Sequence, residues 1–256
     1  MCDKNLRPLR GFWALCALVL LALPGAHGQM QTGAEPLDII VFGASGRVGS
    51  RIATEALSRG HRVTGVSRSL ERLTEAHERY TKAQGDVMDP ASIAELVPGY
   101  DAVVSAIGGN NPDSDDPADS FPARAGLAII EALGKLSADA PRLIVVGGGS
   151  TTLESSPGVR IADETDVPTG SRGARILGHR IVLDALRNVT EFPWTFASPA
   201  LTMSPGERTG IFRIGGSIVI RDDSGESRIS MEDFAVALVD ELEDPQHIGR
   251  QMTVAY

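Results

Sequence analysis

Lysine is nearly missing from this chain of 256 residues. It stands only at positions 4, 82 and 135, so the positive charge is carried almost wholly by arginine. Cysteine is as scarce, with Cys2 and Cys16 as its two occurrences. Without that first segment the chain has no thiol, which excludes a disulfide framework and a cysteine metal site. His61, His77 and His247 show no metal-ligand spacing either. A basic balance is absent too: the formal charge is −9. An acidic surface argues against nucleic acid or an anionic membrane as the main partner. The longest apolar run, from Gly11 to Leu23, is short for a permanent membrane span. What remains is ordinary for a globular protein, with 42% hydrophobic and 22% charged residues.

The apolar run has its own explanation. Lys4, Arg7 and Arg10 precede it, Pro24-Gly25 breaks it, and Ala26-His27-Gly28 places small residues where a signal peptidase reads. Residues 1–28 therefore read as a secretory signal peptide cleaved after Gly28, giving a periplasmic or secreted protein. Its removal takes three basic and one acidic residue, which leaves 21 basic against 32 acidic, or −11. Cys16 lacks a lipobox setting. Arg7 and Arg10 are separated by Pro8-Leu9, so there is no twin-arginine pair. A start at Met30, giving a cytoplasmic protein, is the competing reading.

From Leu37 on, strand and helix signals alternate. Strands are expected at 37–42, 62–66, 81–86, 101–106, 143–146 and 194–197. Helices are expected at 47–58, 71–79, 90–96, 123–136 and 172–188. This rhythm predicts an α/β fold, a Rossmann-type doubly wound parallel sheet over residues 37–256. The C-terminal part reads as a small substrate-side lobe. In it Gly210–Ile214 and Ser217–Arg221 form a hairpin around Gly215-Gly216. A capping box at Ser230-Met231-Glu232-Asp233 opens a helix to Leu242, and Thr253–Tyr256 closes with a strand.

The strongest motif is Gly43-Ala44-Ser45-Gly46-Arg47-Val48-Gly49, between an apolar strand and an amphipathic helix. Glycine lets the backbone approach a pyrophosphate, and the N-terminus of the following helix offers free N–H groups and a positive dipole end. The chemistry is that of a dinucleotide-binding turn. The end of the second strand then selects the coenzyme. A site for NAD usually has a carboxylate there, holding the ribose hydroxyls. Here the residues are Val66-Ser67-Arg68-Ser69, with no carboxylate before Glu71. Arg68 can clamp a 2′-phosphate with help from Ser67 or Ser69, and Arg47 adds a second cation, so NADP(H) is expected over NAD(H). Asp86 and Val87 fall near the adenine, although Asp86 reads equally as a turn carboxylate. Ala106, Ile107 and Gly108 leave room for the cofactor ribose at the end of the fourth strand.

These segments, with Asp101–Ala106, Trp194-Thr195-Phe196, Gly206–Gly210 and Ser227–Ser230, resemble the atypical short-chain dehydrogenase/reductases. The tail is similar to one branch, assigned as NADH-flavin reductases and related to biliverdin reductase B and to NmrA-like proteins. The resemblance implies a nicotinamide coenzyme and reduction of flavin or another conjugated small-molecule acceptor. One departure matters. Typical short-chain reductases use Tyr-x-x-x-Lys to protonate a carbonyl oxygen. None of Tyr80, Tyr100 and Tyr256 has Lys four residues on. The corresponding helix carries Arg175 and His179 instead. Flavin reduction relaxes that demand, because hydride passes to a ring that spreads the charge and takes its proton from solvent. The family's serine position falls on Ser150, after Gly147-Gly148-Gly149, with Thr151 in reserve. His179 is a candidate proton donor or orienter. Ser198-Pro199-Ala200 is expected to line the nicotinamide side. The acidic loop at Asp113–Asp119 lacks the glycine and terminal Glu of a calcium loop and reads as a solvated lid. A coenzyme-binding redox sensor without turnover is the alternative function. Export sharpens that alternative, since a Sec-type signal delivers an unfolded chain without coenzyme.

Overall fold

Burial along residues 39–42 alternates between the two faces of a strand, and that alternation fixes where the helices go. Ile39 and Val41 belong to one apolar cluster, Ile40 and Phe42 to another. Both faces must therefore be covered, as in a doubly wound sheet. The computed structural model describes residues 35–109 and 111–256; the signal-peptide reading lies outside them. In chain order the elements are β1 (Asp38–Phe42), α1 (Arg47–Ser58), β2 (Arg62–Ser67), β3 (Tyr80–Gln84), α2 (Pro90–Leu96), β4 (Ala102–Ser105), α3 (Phe121–Leu136) and β5 (Arg142–Val146). Then follow α4 (Gly149–Thr152), β6 (Glu154–Ser156), β7 (Val159–Arg160), α5 (Ile161–Glu164), α6 (Gly170–Leu186), β8 (Trp194–Pro199) and β9 (Thr202–Ser204). The chain closes with β10 (Arg213–Gly215), β11 (Arg228–Ser230), α7 (Met231–Glu243) and β12 (Arg250–Ala255).

The main sheet has eight strands in the order β10-β12-β8-β5-β4-β1-β2-β3, all parallel except the β10–β12 pair. Helices α1 and α7 cover one face through Ile52, Ala56, Phe234 and Leu238. Helices α2, α3 and α6 cover the other through Ile93, Ile129, Leu133 and Val182. Three helices carry their own N-cap: Asp89 for α2, Ser120 for α3 and Ser230 for α7. Each side-chain oxygen takes an otherwise orphaned first-turn N–H.

Two expectations are corrected. The segment 71–79 is not a helix; a three-residue 3-10 turn at Leu70–Arg72 gives way to irregular chain. Of residues 70–79 only Leu73 is buried, so the segment has no apolar stripe to pack. The hairpin at 210–221 does not form either. Its first arm becomes β10 on the free edge of β12, pairing Ile214 with Val254. Its second arm turns to Glu154, whose carbonyl accepts the Val219 N–H at 2.9 Å. A buried edge must satisfy its backbone groups, and that need outweighs a local turn signal. The small β6–β7 hairpin, the residues bridging to it and the β9–β11 pair make up the C-terminal lobe.

The capping box is half formed. Ser230 Oγ accepts the Asp233 N–H at 2.9 Å, but the Asp233 carboxylate faces another way. It takes the N–H groups of Thr209 and Gly210 at 2.7 and 2.8 Å, and the hydroxyls of Thr209 and Tyr256 at 2.6 and 2.9 Å. Burial alone would raise its pKa; these four donors outweigh that and hold it below the ordinary value. Asp233 thus clasps the loop before β10 and the last residue onto α7. Asp233→Ala leaves these donors without their acceptor and should cost about 3 kcal/mol. Urea unfolding checks this: the midpoint should fall with an unchanged m-value, and a loss under about 1 kcal/mol would contradict the clasp.

Candidate functional site

The site begins where β1 turns into α1. Gly43 has φ +87°, a conformation side chains disfavour. A Cβ on Gly43 would lie 2.6 Å from the Ala106 carbonyl oxygen, and one on Gly49 would lie 2.2 Å from the Gly43 carbonyl oxygen. The Gly46 N–H donates to the Gly43 carbonyl at 2.8 Å, closing the turn. The ends of β1 and β4 and the first turn of α1 are thereby locked together by backbone contact. Ala44 is buried and Val48 half-buried, whereas Ser45, Gly46 and Arg47 are exposed at the strand ends. Gly46 is the N-cap of α1 and offers no side chain, so the first-turn N–H groups stay available to a ligand. These are the properties a dinucleotide pyrophosphate requires. The residues fit the group.

Ser67 and Arg68 follow at the end of β2. The Ser67 hydroxyl accepts the Ser69 N–H at 3.2 Å, and the exposed Arg68 guanidinium has no partner among the described residues. Ser69 donates its hydroxyl to Glu71, which lowers the Glu71 pKa from its ordinary value. A carboxylate is therefore held close to the β2 end, two residues beyond where the sequence pattern looks for one.

A cleft of about 420 Å³ opens beside the same turn. Ala44, Ser45 and Ser50 form one side; Thr74, Glu75 and Tyr80 form the other. Tyr80 reaches it by lying across Gly65, where a Cβ would meet its hydroxyl at 1.9 Å. A glycine inside a strand signals such a close approach, and Gly65 was the one clue to this cleft in the sequence.

The ends of β3 and β4 are less alike. Asp86 Oδ1 accepts the Met88 N–H at 3.0 Å, and the Asp86 N–H donates to Ser92 Oγ. Asp86 thus makes the contact of a turn carboxylate, one of its two expected roles. Val87 packs on the apolar cluster beneath. Ala106 and Ile107 close over Gly43, and Gly108 is exposed beyond them.

The candidate catalytic residues stand on α4 and α6. Ser150 is exposed on α4, and its hydroxyl has no partner among the described residues. Thr151 is unavailable as a reserve: it is buried and its hydroxyl donates to the Ile176 carbonyl of α6 at 2.9 Å. Ser198 does not line the site; it is fully buried, bonded to Thr152 and Gln251. The glycine run 147–149 is a packing device. A Cβ on Gly147 would be 2.1 Å from the Phe196 ring, and one on Gly149 2.5 Å from the Pro199 carbonyl oxygen.

His179 lies against Gly148, its ring carbon 3.0 Å from where a Cβ there would stand. Burial, then the nearby Arg175 charge, lowers its pKa from 6.5 to about 4. It is thereby neutral at physiological pH, a state that suits the orienter reading better than that of proton donor. Arg175 is itself lowered, by burial first and then by the like charges of Arg172 and Arg47. Tyr80, Tyr100 and Tyr256 are all away from α6: their environments are the cleft, Thr64 and Asp233. Asp116 and Asp119 of the acidic loop bond to their own loop, to the Ala118 N–H and the Ser114 hydroxyl. Among the described residues no group of His, Cys, Asp and Glu is arranged to hold a metal, and no helix is long and apolar enough to cross a membrane.

A protein family described as NAD(P)H-binding matches residues 43–245. Three solved structures extend the likeness. A candidate exported protein of Burkholderia pseudomallei is 39% identical with a TM-score of 0.73, over 86% of this chain and 100% of that one. A candidate epimerase of Bacteroides thetaiotaomicron is 36% identical with a TM-score of 0.74, over 87% and 98%. A candidate NADH-flavin reductase of Streptococcus pneumoniae TIGR4 is 30% identical with a TM-score of 0.70, over 86% and 99%.

The buried imidazole makes stability depend on pH. Unfolded, His179 titrates near 6.5; folded, near 4. Above pH 6.5 neither state carries the proton and stability is full. As pH falls from 6.5 to 4 the unfolded chain takes up a proton that the fold refuses, and stability drops by about 3 kcal/mol. His179→Gln should flatten that part of the profile, measured by denaturant unfolding at pH 7 and pH 4. An unchanged slope would show that other groups set it.

Proposed function

Because the chain belongs to the NAD(P)H-binding family, we propose that it is an NAD(P)H-dependent oxidoreductase that reduces flavin or a similar flat, conjugated acceptor. The glycine turn carries this reading: backbone donors, an uncapped helix and two strand ends converge where a pyrophosphate would rest. A bound nicotinamide supplies the hydride. The residues around it position and exclude rather than exchange protons. Ser150 offers a hydroxyl to the acceptor or to the carboxamide, and neutral His179 braces the turn that presents it. With no Tyr–Lys pair and a histidine that stays neutral, the acceptor must take its proton from solvent. An extended ring meets that demand and an isolated carbonyl does not. The likeness to a candidate NADH-flavin reductase supports the choice.

NADP(H) is the coenzyme this reading favours. Arg68 has no competing partner among the described residues, and Arg47 stands at the start of α1. Arg68→Glu should weaken NADPH about 100-fold and NADH less than about threefold, by fluorescence titration. Equal losses would remove Arg68 from the 2′-phosphate and leave Glu71 as the residue facing the ribose.

The second reading is a sensor that binds coenzyme without turning it over, which the missing Tyr–Lys pair admits equally. NADPH oxidation with a flavin or quinone separates the two readings: binding with turnover supports the reductase, binding alone the sensor. Export belongs to the same proposal, supported by the relative named as a candidate exported protein. Edman sequencing of the protein from the periplasmic fraction should begin at Gln29. A cytosolic chain beginning at Met30 would refute it.

A further inference from the structure

We propose that Gln251, on β12, is a positioning residue for the reaction: a one-way chain of buried hydrogen bonds starts at its amide, holds α4 and so sets where the Ser150 hydroxyl stands. This rests on the reductase reading above, in which Ser150 meets the acceptor or the carboxamide.

Helix α4 has four residues, Gly149–Thr152. A helix that short makes too few internal hydrogen bonds to hold itself, so its place is fixed from outside. Gly149 is seated on β8 and the residue after it: a Cβ there would lie 2.5 Å from the Pro199 carbonyl oxygen and 2.7 Å from that of Ala200. Thr151 is tied to α6 through the Ile176 carbonyl at 2.9 Å. Thr152 is tied to β8 and β12. Ser150 is the one exposed residue of the four. Its hydroxyl has no partner of its own among the described residues, and its neighbours decide its position.

The tie at Thr152 has a direction. The Gly148 carbonyl can only accept, so the Thr152 hydroxyl donates to it. That proton is then spent, and across the 2.8 Å between the Ser198 and Thr152 hydroxyls it is Ser198 that donates. Ser198 in turn accepts from Gln251 Nε2 at 2.8 Å. The same Nε2 donates to the Thr152 carbonyl at 2.9 Å. That carbonyl also fixes which way the amide is turned, since a flipped amide would set Oε1 against another oxygen. Gln251 therefore grips Thr152 twice, directly at its carbonyl and through Ser198 at its hydroxyl. The chain ends on Gly148, two residues before Ser150. Each link polarises the next, which stiffens the whole.

Packing does not account for an amide here. Gln251 Oε1 is buried without a partner, as is the Thr253 hydroxyl two residues on. An apolar side chain would avoid leaving that acceptor unsatisfied. What the amide supplies is its two donors, on a strand paired along its length with β8, where Gln251 stands opposite Phe196 and Thr253 opposite Ser198. A grip built on a sheet strand holds a short helix more precisely than a loop does.

Three measurements on the purified chain test this. NADPH oxidation with flavin mononucleotide reads the reaction, NADPH titration reads the coenzyme site, and amide exchange followed by NMR reads α4. Gln251→Met keeps the length of the side chain and removes both donors. It should lower kcat about tenfold, with the NADPH Kd changed less than about threefold. In a Ser150→Ala chain the same substitution should lower kcat no further, because changes that act through one group do not add. Exchange of the Leu153 N–H, which donates to the Gly149 carbonyl at 3.0 Å, should quicken at least about tenfold, while the Ala106 N–H on the Phe42 carbonyl keeps its rate. Thr152→Val cuts the chain at its middle link and should reproduce all of this, which keeps the test if Gln251→Met fails to fold. Unchanged exchange at Leu153 overturns the proposal, and so does a loss of kcat that persists in full without the Ser150 hydroxyl. Ser150→Ala with intact turnover would overturn it too and leave the reductase reading standing. A wild-type chain that binds NADPH and turns nothing over sinks the reductase reading, and exchange at Leu153 then decides alone whether Gln251 holds α4 in place.

Discussion

The contact on which the rest depends is between backbones. At Gly43 and Gly49 the first helix, the first strand and the end of the fourth strand approach to distances that a single Cβ would forbid. That approach sets the height of α1 above the sheet and leaves its first-turn N–H groups facing the strand ends. The proposed pyrophosphate site follows from how tightly the sheet and helix close. Stability and binding share one constraint here, because any side chain that filled the ligand's space would also push the helix from the core.

Charge is organised around that constraint in two styles. On the α1–α7 side arginines are spent on carboxylates: Arg59 meets three of them and Arg208 grips Glu55. Around the strand ends Arg47, Arg68 and Arg172 have no carboxylate partner among the described residues. Burial then divides polar groups by their partners. Asp233 stays ionised inside because four donors surround it, whereas His179, with a cation as its charged neighbour, stays neutral. The burial that keeps His179 neutral also packs its ring against Gly148, two residues before Ser150.

Much of the fold could be read from residue order. The apolar strand before Gly43, the helix from Arg47 to Ser58 and the Asp89-Pro90 helix start fell where the pattern placed them, because local physics dictates each. Where the pattern failed, local physics was outvoted or too weak. The Gly215-Gly216 turn signal lost to the free edge of β12, which lies close to it only after folding. The segment from Glu71 to Arg79 had helix-forming residues but no apolar face. The site divided in the same way. The close backbone approach at the glycine turn was legible in its residues; the carboxylate of Glu71 bonded to Ser69 and the ring of Tyr80 lying across Gly65 were not.

By itself the sequence determined the alternation of strands and helices, the position of the dinucleotide turn and the absence of a Tyr–Lys pair, since each is written in residue type and short-range spacing. Tertiary structure alone decided which hydroxyls are spent on packing, which histidine stays neutral and which like charges act on one another. Those properties depend on burial and on charges brought together from segments over a hundred residues apart, as from Arg47 to Arg175, and no local window of the chain contains them.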